Sequence, residues 1–271
     1  MIYLNPEIEK FLAGRDAFQV LDSIQGRTFR ELEGRSTRRI EIEGRGYFLK
    51  MHRGIGWLEV FKNLLQFRAP VISAENEWQA LQRLSALGVD TMVVAAYGRK
   101  GRNPARIHSF ILTEELDGTS SLEDFCADWP DSPPSLQLKR ALLARVAGIS
   151  RAMHGAGICH RDFYLCHFLL HLNSLNRPET LRLSLIDLHR ALHSNTLVSR
   201  WVEKDLAGLY FSSMDIGLTR NDRLRFVRHY SGKNLRDCLV NEARFWNRIA
   251  AKGQALYARL ASPGKRQGSR V

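Results

Sequence analysis

Met153-His154-Gly155-Ala156-Gly157-Ile158-Cys159-His160-Arg161-Asp162 is the stretch on which the fold of this 271-residue chain turns. A long helical pattern runs into it and stops at glycine, a short apolar step follows, and His-Arg-Asp closes it. A carboxylate on a loop just past a rigid helix and just before a strand pair can orient a substrate hydroxyl and accept its proton. The bare tripeptide also arises by chance, as a surface turn with a helix-capping Asp. Its context narrows the choice. An apolar strand, Leu183-Ser184-Leu185-Ile186, follows and ends in a second carboxylate, Asp187, 25 positions after Asp162. That separation fits two antiparallel strands, Phe168 to Leu172 and Leu181 to Ile186, around a turn.

Helix, glycine, His-x-Asp and a strand-terminal Asp in this order resemble the catalytic core of the protein-kinase-like superfamily. The resemblance implies Asp162 as catalytic carboxylate and Asp187 as the hard oxygen ligand of the magnesium that bridges nucleotide phosphates. Asp-Leu-His replaces the superfamily's Asp-Phe-Gly, which removes the basis for a switch built on that Phe. The larger departure is His167, where the kinase loop has Asn. A neutral imidazole can ligate a metal or orient Asp162, and the substitution also permits an inactive-kinase reading.

Outward from this core, Lys50 ends an apolar strand, Tyr47 to Met51, and resembles the strand lysine that grips nucleotide phosphates. An ammonium on a half-buried strand needs a counter-charge. The next helix offers Glu75 or Glu77, and Glu77 fits the Glu-x-x-x-Leu-x-x-Leu pattern better. The phosphate-covering loop is weakly marked: Glu33-Gly34-Arg35-Ser36-Thr37 holds a single glycine, and Gly34 amides with the Ser36 or Thr37 hydroxyl are its candidates. The lobe connector around Glu114, Glu115 and Leu116 is expected to meet adenine through its backbone. Asp205 either hydrogen-bonds the catalytic loop or is an ordinary helix acid.

The expected fold class is α+β and bilobal: a small antiparallel β-rich N-terminal lobe over residues 1–116 and a larger helical lobe over 117–262, with a disordered basic tail at 263–271. Strands are expected at Thr28 to Glu33, Arg38 to Glu43, Tyr47 to Met51, Val89 to Tyr97 and Ser109 to Glu114, and a helix at Ser73 to Leu87. Gly56 to Phe67 reads as an amphipathic helix that either seals the small lobe or docks lipid or a partner helix. With 44% hydrophobic and 25% charged residues, collagen-like and disordered classes are excluded. A net charge of +12 favours anionic partners without choosing among nucleic acid, membrane and acidic ligand. Four scattered cysteines without Cys-x-x-Cys spacing suggest reduced thiols rather than zinc. Neither a signal peptide nor a spanning helix is visible.

Taken together, Tyr47 to Arg53, Glu77 to Leu84, Cys159 to Leu170, Leu185 to Ala191, Lys204 to Ser212 and Gly217 to Arg223 resemble the lipopolysaccharide core heptose(I) kinases over about residues 15–260. In that family a histidine is expected at position 167. The resemblance implies ATP and Mg²⁺ bound between the lobes, and phosphoryl transfer to the first heptose of the inner core. It places the enzyme in the cytoplasm, peripheral at the anionic inner face of the inner membrane, where an acidic protein partner suits the charge. Two alternatives remain. A protein kinase acting on Tyr or Ser is disfavoured by the lack of an Ala-Pro-Glu segment after Asp187. A nucleic-acid-binding protein would use the Arg and aromatic residues of Arg223 to Tyr230, and no nucleic acid is expected.

Overall fold

The structure, a computed structural model, describes residues 1–32, 34–54, 56–57, 73–194 and 199–261. Beyond Trp57, the expected helix to Phe67 lies outside the described residues, as does the basic tail. The chain divides into two compact units. The first comprises Met1–Ala86, Thr91–Asp117 and Asp187–Arg190, and the second Leu87–Asp90, Gly118–Ile186 and Ala191–Val271.

In the first unit β1 (Ile2–Leu4), α1 (Pro6–Leu12) and α2 (Ala17–Ser23) precede β2 (Gly26–Leu32), β3 (Arg35–Ile42) and β4 (Arg45–Arg53). Helix α3 (Glu75–Ala86), β5 (Val94–Lys100) and β6 (His108–Glu114) follow. The strands form one antiparallel sheet, in the order β1-β5-β6-β4-β3-β2. Alternation along β4 decides which face does what. Tyr47, Leu49 and Met51 are buried with Ile40, Ile42, Ala96 and Leu112, and α1 and α2 close that face with Ile8, Leu12, Phe18 and Leu21. Lys50 therefore points from the opposite face, in register with Thr37 on β3 and Ile111 on β6.

Helices α1 and α2 carry signals that the strand-focused reading passed over. The Asn5 side chain accepts the Ile8 N–H ahead of a Pro at the first helical position, and Asp16 accepts the amides of Phe18 and Gln19. Strand β5 starts later than the expected Val89. The Asp90 carbonyl instead accepts the Leu185 amide, and its carboxylate pairs with Arg145 and Arg182, so Leu87–Asp90 packs with the second unit.

The second unit opens with β7 (Thr119–Ser121) and the one-turn helix α4 (Leu122–Phe125), then α5 (Leu136–Gly155), whose N-terminal amide at Leu138 is capped by Ser135. Along α5, Leu142, Val146, Ile149 and Met153 are buried at helical spacing. Next come β8 (Ile158–Cys159), β9 (Phe168–His171), β10 (Leu183–Leu185) and β11 (Leu192–His193). The expected strand pair is β9–β10, to which β7 adds a third strand, and β11 pairs with β8. Helices α6 (Ser199–Ser212), α7 (Arg220–Ser231), α8 (Leu235–Asn241) and α9 (Ala243–Ala261) complete the unit. Leu206, Ala207 and Ile249 form the seam between α6 and α9, packed by Phe226, Tyr230 and Trp246. Among the described residues, no helix is long and apolar enough to cross a membrane.

Candidate active site

Strand β4 and helix α3 bring Lys50 and Glu77 together in the first unit, with Nζ 2.6 Å from Glu77 Oε1. Glu77 is buried, at 1% side-chain exposure. Lys50 Nζ also donates to Asp187 Oδ1 at 3.1 Å. Burial alone would pull the Lys50 ammonium down, but the Glu77 and Asp187 carboxylates outweigh it, and its pKa rises above the ordinary value. Glu75, the other acid of that helix turn, faces Arg99 instead.

Asp187 has a left-handed backbone (φ 60°), rare for a non-glycine residue and typical of places where surrounding structure over-determines the chain. His189 Nδ1–H donates to the same Oδ1 at 2.7 Å. One carboxylate oxygen is thus held from two sides, which fixes the side chain's direction.

The loop after β2 behaves differently from the simplest expectation. Gly34 has φ 74°, and its carbonyl accepts the Arg53 amide. The register sets Ser36 opposite Met51 on the buried face, where its Oγ finds no hydrogen-bond partner among the described residues, and sets Thr37 opposite Lys50. Arg35 shares the face of Thr37 and Lys50, opposite His52. Burial and the Arg30 charge lower the Arg35 pKa, against the pull of Glu77 and Asp187, so this guanidinium lies within the electrostatic reach of both carboxylates. The sequence reading of this loop singled out Gly34, Ser36 and Thr37 and not Arg35, although Arg35 is adjacent to Gly34. At the end of β6 the Glu114 amide donates to the Val93 carbonyl, and burial raises the Glu114 carboxyl pKa. Glu115 holds Arg39, and Leu116 follows just before the unit boundary.

In the second unit the loop that carries Asp162 hangs from α6. Asp205, 1% exposed, accepts the amide of His160 at 2.7 Å and that of Arg161 at 2.8 Å. It is therefore the loop's anchor rather than a surface helix acid. His154 links Asp205 Oδ2 (3.4 Å) to the Tyr230 hydroxyl (2.9 Å). Cys159 lies in the same buried cluster; burial, with Asp205 beside it, pushes its thiol up to about 12. A thiol protonated at neutral pH beside a carboxylate spent on backbone amides makes this a packing cluster, not a metal-ready one. Arg161, directly before Asp162, takes φ 74°, so it shares the left-handed region with Asp187 itself.

His167 donates from Nδ1 to the Asp162 carbonyl at 2.6 Å and stacks on His160, with ring centroids 5.3 Å apart. Because a carbonyl can only accept, the neutral His167 carries its proton on Nδ1 and a lone pair on Nε2. His160 Nε2–H in turn donates to the Ile186 carbonyl, and the Ile186 amide to the His167 carbonyl. These bonds tie the Asp162 loop to the residue immediately before Asp187.

The signature of the lipopolysaccharide kinase (Kdo/WaaP) family matches residues 20–230. The chain is similar to the lipopolysaccharide core heptose(I) kinase WaaP of Pseudomonas aeruginosa, 50% identical over 95% of this chain and 96% of that protein. It is similar to the Escherichia coli K12 protein of the same name, 48% identical over 97% of this chain and all of that one. Among solved structures, WaaP in complex with acyl carrier protein superposes with a TM-score of 0.83 at 46% identity, over 95% of this chain and 99% of that one.

Proposed function

The chain belongs to the lipopolysaccharide kinase (Kdo/WaaP) family, and on that premise we propose that it transfers the γ-phosphoryl group of ATP to a hydroxyl of the first heptose of the lipopolysaccharide inner core. One observation carries the reading: Lys50 joins Glu77 and Asp187 in a chain half identical, end to end, to heptose(I) kinases. Lys50 grips the nucleotide phosphates, and Glu77 keeps its ammonium charged and aimed. Arg35 and Thr37, on the Lys50 face of the sheet, support the phosphates together with the Gly34 backbone, while Ser36 serves the core. Backbone groups from Glu114 to Leu116 receive the adenine.

Asp162 orients the acceptor hydroxyl and takes its proton as the bond to phosphorus forms. His167 holds the Asp162 backbone by its Nδ1–H. Asp187 would hold magnesium: a carboxylate fixed on one oxygen by Lys50 and His189 suits a small hard cation; an imidazole is a softer ligand type, and His167 is the other candidate by residue type alone. Magnesium supplies charge neutralisation across the transferring phosphoryl group. Positioning and charge stabilisation then account for the catalysis, since little covalent chemistry is required.

An anionic acceptor anchored at a membrane surface, and an acyl carrier protein as acidic partner, suit the net charge of +12. The solved complex of the similar protein supports the second. Mass spectrometry of core lipopolysaccharide lacking heptose phosphate, after incubation with ATP, tests the reaction: one phosphate on the first heptose supports it, and phosphate on protein alone defeats it. Co-elution with acyl carrier protein that is lost as salt rises tests the partner.

A further inference from the structure

A groove of about 370 Å³ opens at the β1 edge of the first unit's sheet, on the face that α1 and α2 cover. Ile2, Leu4 and Phe18 give it an apolar lining, and Arg15 and Lys100 give it positive charge. The Lys100 Nζ stands 4.2 Å from the Phe18 ring centroid, a cation held over an aromatic face. Arg15 donates to the carbonyls of Leu12 at 3.0 Å and Phe11 at 2.8 Å, bonds that fix the guanidinium without neutralising it. Asp16, the acid among the lining residues, spends its carboxylate on the amides of Phe18 and Gln19 at 2.8 and 3.2 Å.

The rim of the groove repeats both characters. Among the described residues strand β1 pairs with β5 alone, so it is a sheet edge, and it exposes Ile2 and Tyr3. Ile2 faces Gly98 across the ladder, and Lys100 follows two positions later on β5. The apolar side chain and the ammonium therefore share one face. Beyond Lys100 the chain turns back toward β6. From Gly98 to His108 it carries Arg99, Lys100, Arg102 and Arg106 and not one acid. Arg99 pairs with Glu75. Lys100, Arg102 and Arg106 are exposed, and none of them forms an ion pair among the described residues.

Apolar side chains on an open sheet edge need cover, and cations without carboxylates attract anions. Water meets the second demand and not the first. A nucleic acid supplies phosphates with no apolar layer beneath them. An anionic bilayer supplies both in one surface, phosphates at the headgroups and hydrocarbon just below. We propose that this groove and the basic turn after β5 form a docking site for an anionic phospholipid surface. A headgroup phosphate occupies the groove beside Arg15 and Lys100, and Arg102 and Arg106 meet neighbouring headgroups. Ile2 and Tyr3 enter the boundary between headgroups and acyl chains. The inference goes beyond the heptose-kinase reading, because the site lies on the sheet face opposite Lys50 and its binding is measured without catalysis.

The experiment floats the full chain with vesicles of phosphatidylcholine alone and of phosphatidylcholine mixed with phosphatidylglycerol. The wild type is expected to float with the mixed vesicles and not with the neutral ones, and to dissociate as salt rises. Lys100→Ala/Arg102→Ala removes two exposed charges and should lower the partition coefficient roughly 25-fold, about fivefold for each charge. Lys100→Arg/Arg102→Lys, which keeps both charges, should bind as the wild type does. Ile2→Ser/Tyr3→Ser should weaken binding to mixed vesicles at every salt concentration. Melting curves that match the wild type show that the variants are folded. Equal flotation with neutral and mixed vesicles, or alanine variants that float like the wild type, overturns the proposal. So does binding that glycerol phosphate displaces at matched ionic strength, which would make the groove a pocket for a soluble anion. If the alanine variants lose co-elution with acyl carrier protein and keep their vesicle binding, the surface belongs to an acidic protein instead. If light scattering finds a dimer that Ile2→Ser/Tyr3→Ser breaks, and vesicles bind neither form, the edge is covered by a second copy and the proposal fails.

Discussion

At the scale of residues, the most demanding requirement is a buried ammonium kept charged. Lys50 achieves it through Glu77 at 2.6 Å and Asp187 at 3.1 Å. Lys50→Ala is expected to lower kcat by about 100-fold or more, the range seen when a preorganised charge is removed from a transition state, with little change in acceptor KM. Steady-state kinetics with varied acceptor check both halves. His52, two positions along the same face of β4, behaves oppositely: burial, with Arg35 and Lys50 nearby, pushes its pKa down to about 3 from 6.5. Between those values the unfolded chain binds a proton that the folded chain refuses. Stability therefore falls as pH drops below 6.5, by about 1.4 kcal/mol per pH unit for this group. Urea midpoints near pH 7 and pH 5 should show a smaller drop for His52→Gln than for the wild type, and equal drops would refute the assignment. The Lys50–Glu77 pairing was legible because strand and helix patterns each single out one residue. The placement of Ser36 was not, since a one-position step in strand register reverses the face and the hairpin's bounds decide that step.

At the scale of elements, the loop that carries Asp162 is constrained by Gly157 ahead of it and by Asp205 of α6. Gly157 leads into β8 with φ 77°, and a Cβ there would stand 2.2 Å from the Ser194 carbonyl oxygen. Gly157→Ala combines backbone strain with a backbone clash and should cost about 1–3 kcal/mol, read as a lowered thermal midpoint. A wild-type midpoint would show that the backbone beside the β8–β11 pair yields freely. Asp205→Ala strips two loop amides of their acceptor, each worth about 1–3 kcal/mol when buried. It is expected to lower both stability and kcat, whereas a fall in stability with unchanged kcat would show that the loop keeps its geometry without α6. In sequence Asp205 was indistinguishable from any helix acid, because its partners are backbone amides more than forty positions away. The strands β2 to β4 and β6 and the helix α5 were legible, since alternation and helical spacing follow directly from one buried face. Helices α1 and α2 were within reach through Asn5-Pro6 and Asp16, whose capping signals stand in short helices of seven residues each.

At the scale of the whole molecule, charge and chemistry converge. The net charge of +12 pointed to anionic partners in general, and membership of the lipopolysaccharide kinase family ties that charge to phosphoryl transfer. Fold class was the most legible property, because a helix, glycine, His-Arg-Asp and strand-terminal Asp in fixed order constrain the path of the chain between them. The acceptor was legible only through family resemblance, since a sugar hydroxyl and a serine hydroxyl ask the same of a carboxylate. The most direct test of the central claim is transfer of labelled phosphate from ATP to core lipopolysaccharide lacking heptose phosphate, measured side by side for the wild type and Asp162→Ala. The account predicts label on the saccharide with the wild type, and a loss of about 100-fold or more in kcat for a folded Asp162→Ala protein that still binds ATP. Label on protein but not on saccharide, or an Asp162→Ala enzyme as fast as the wild type, would contradict it.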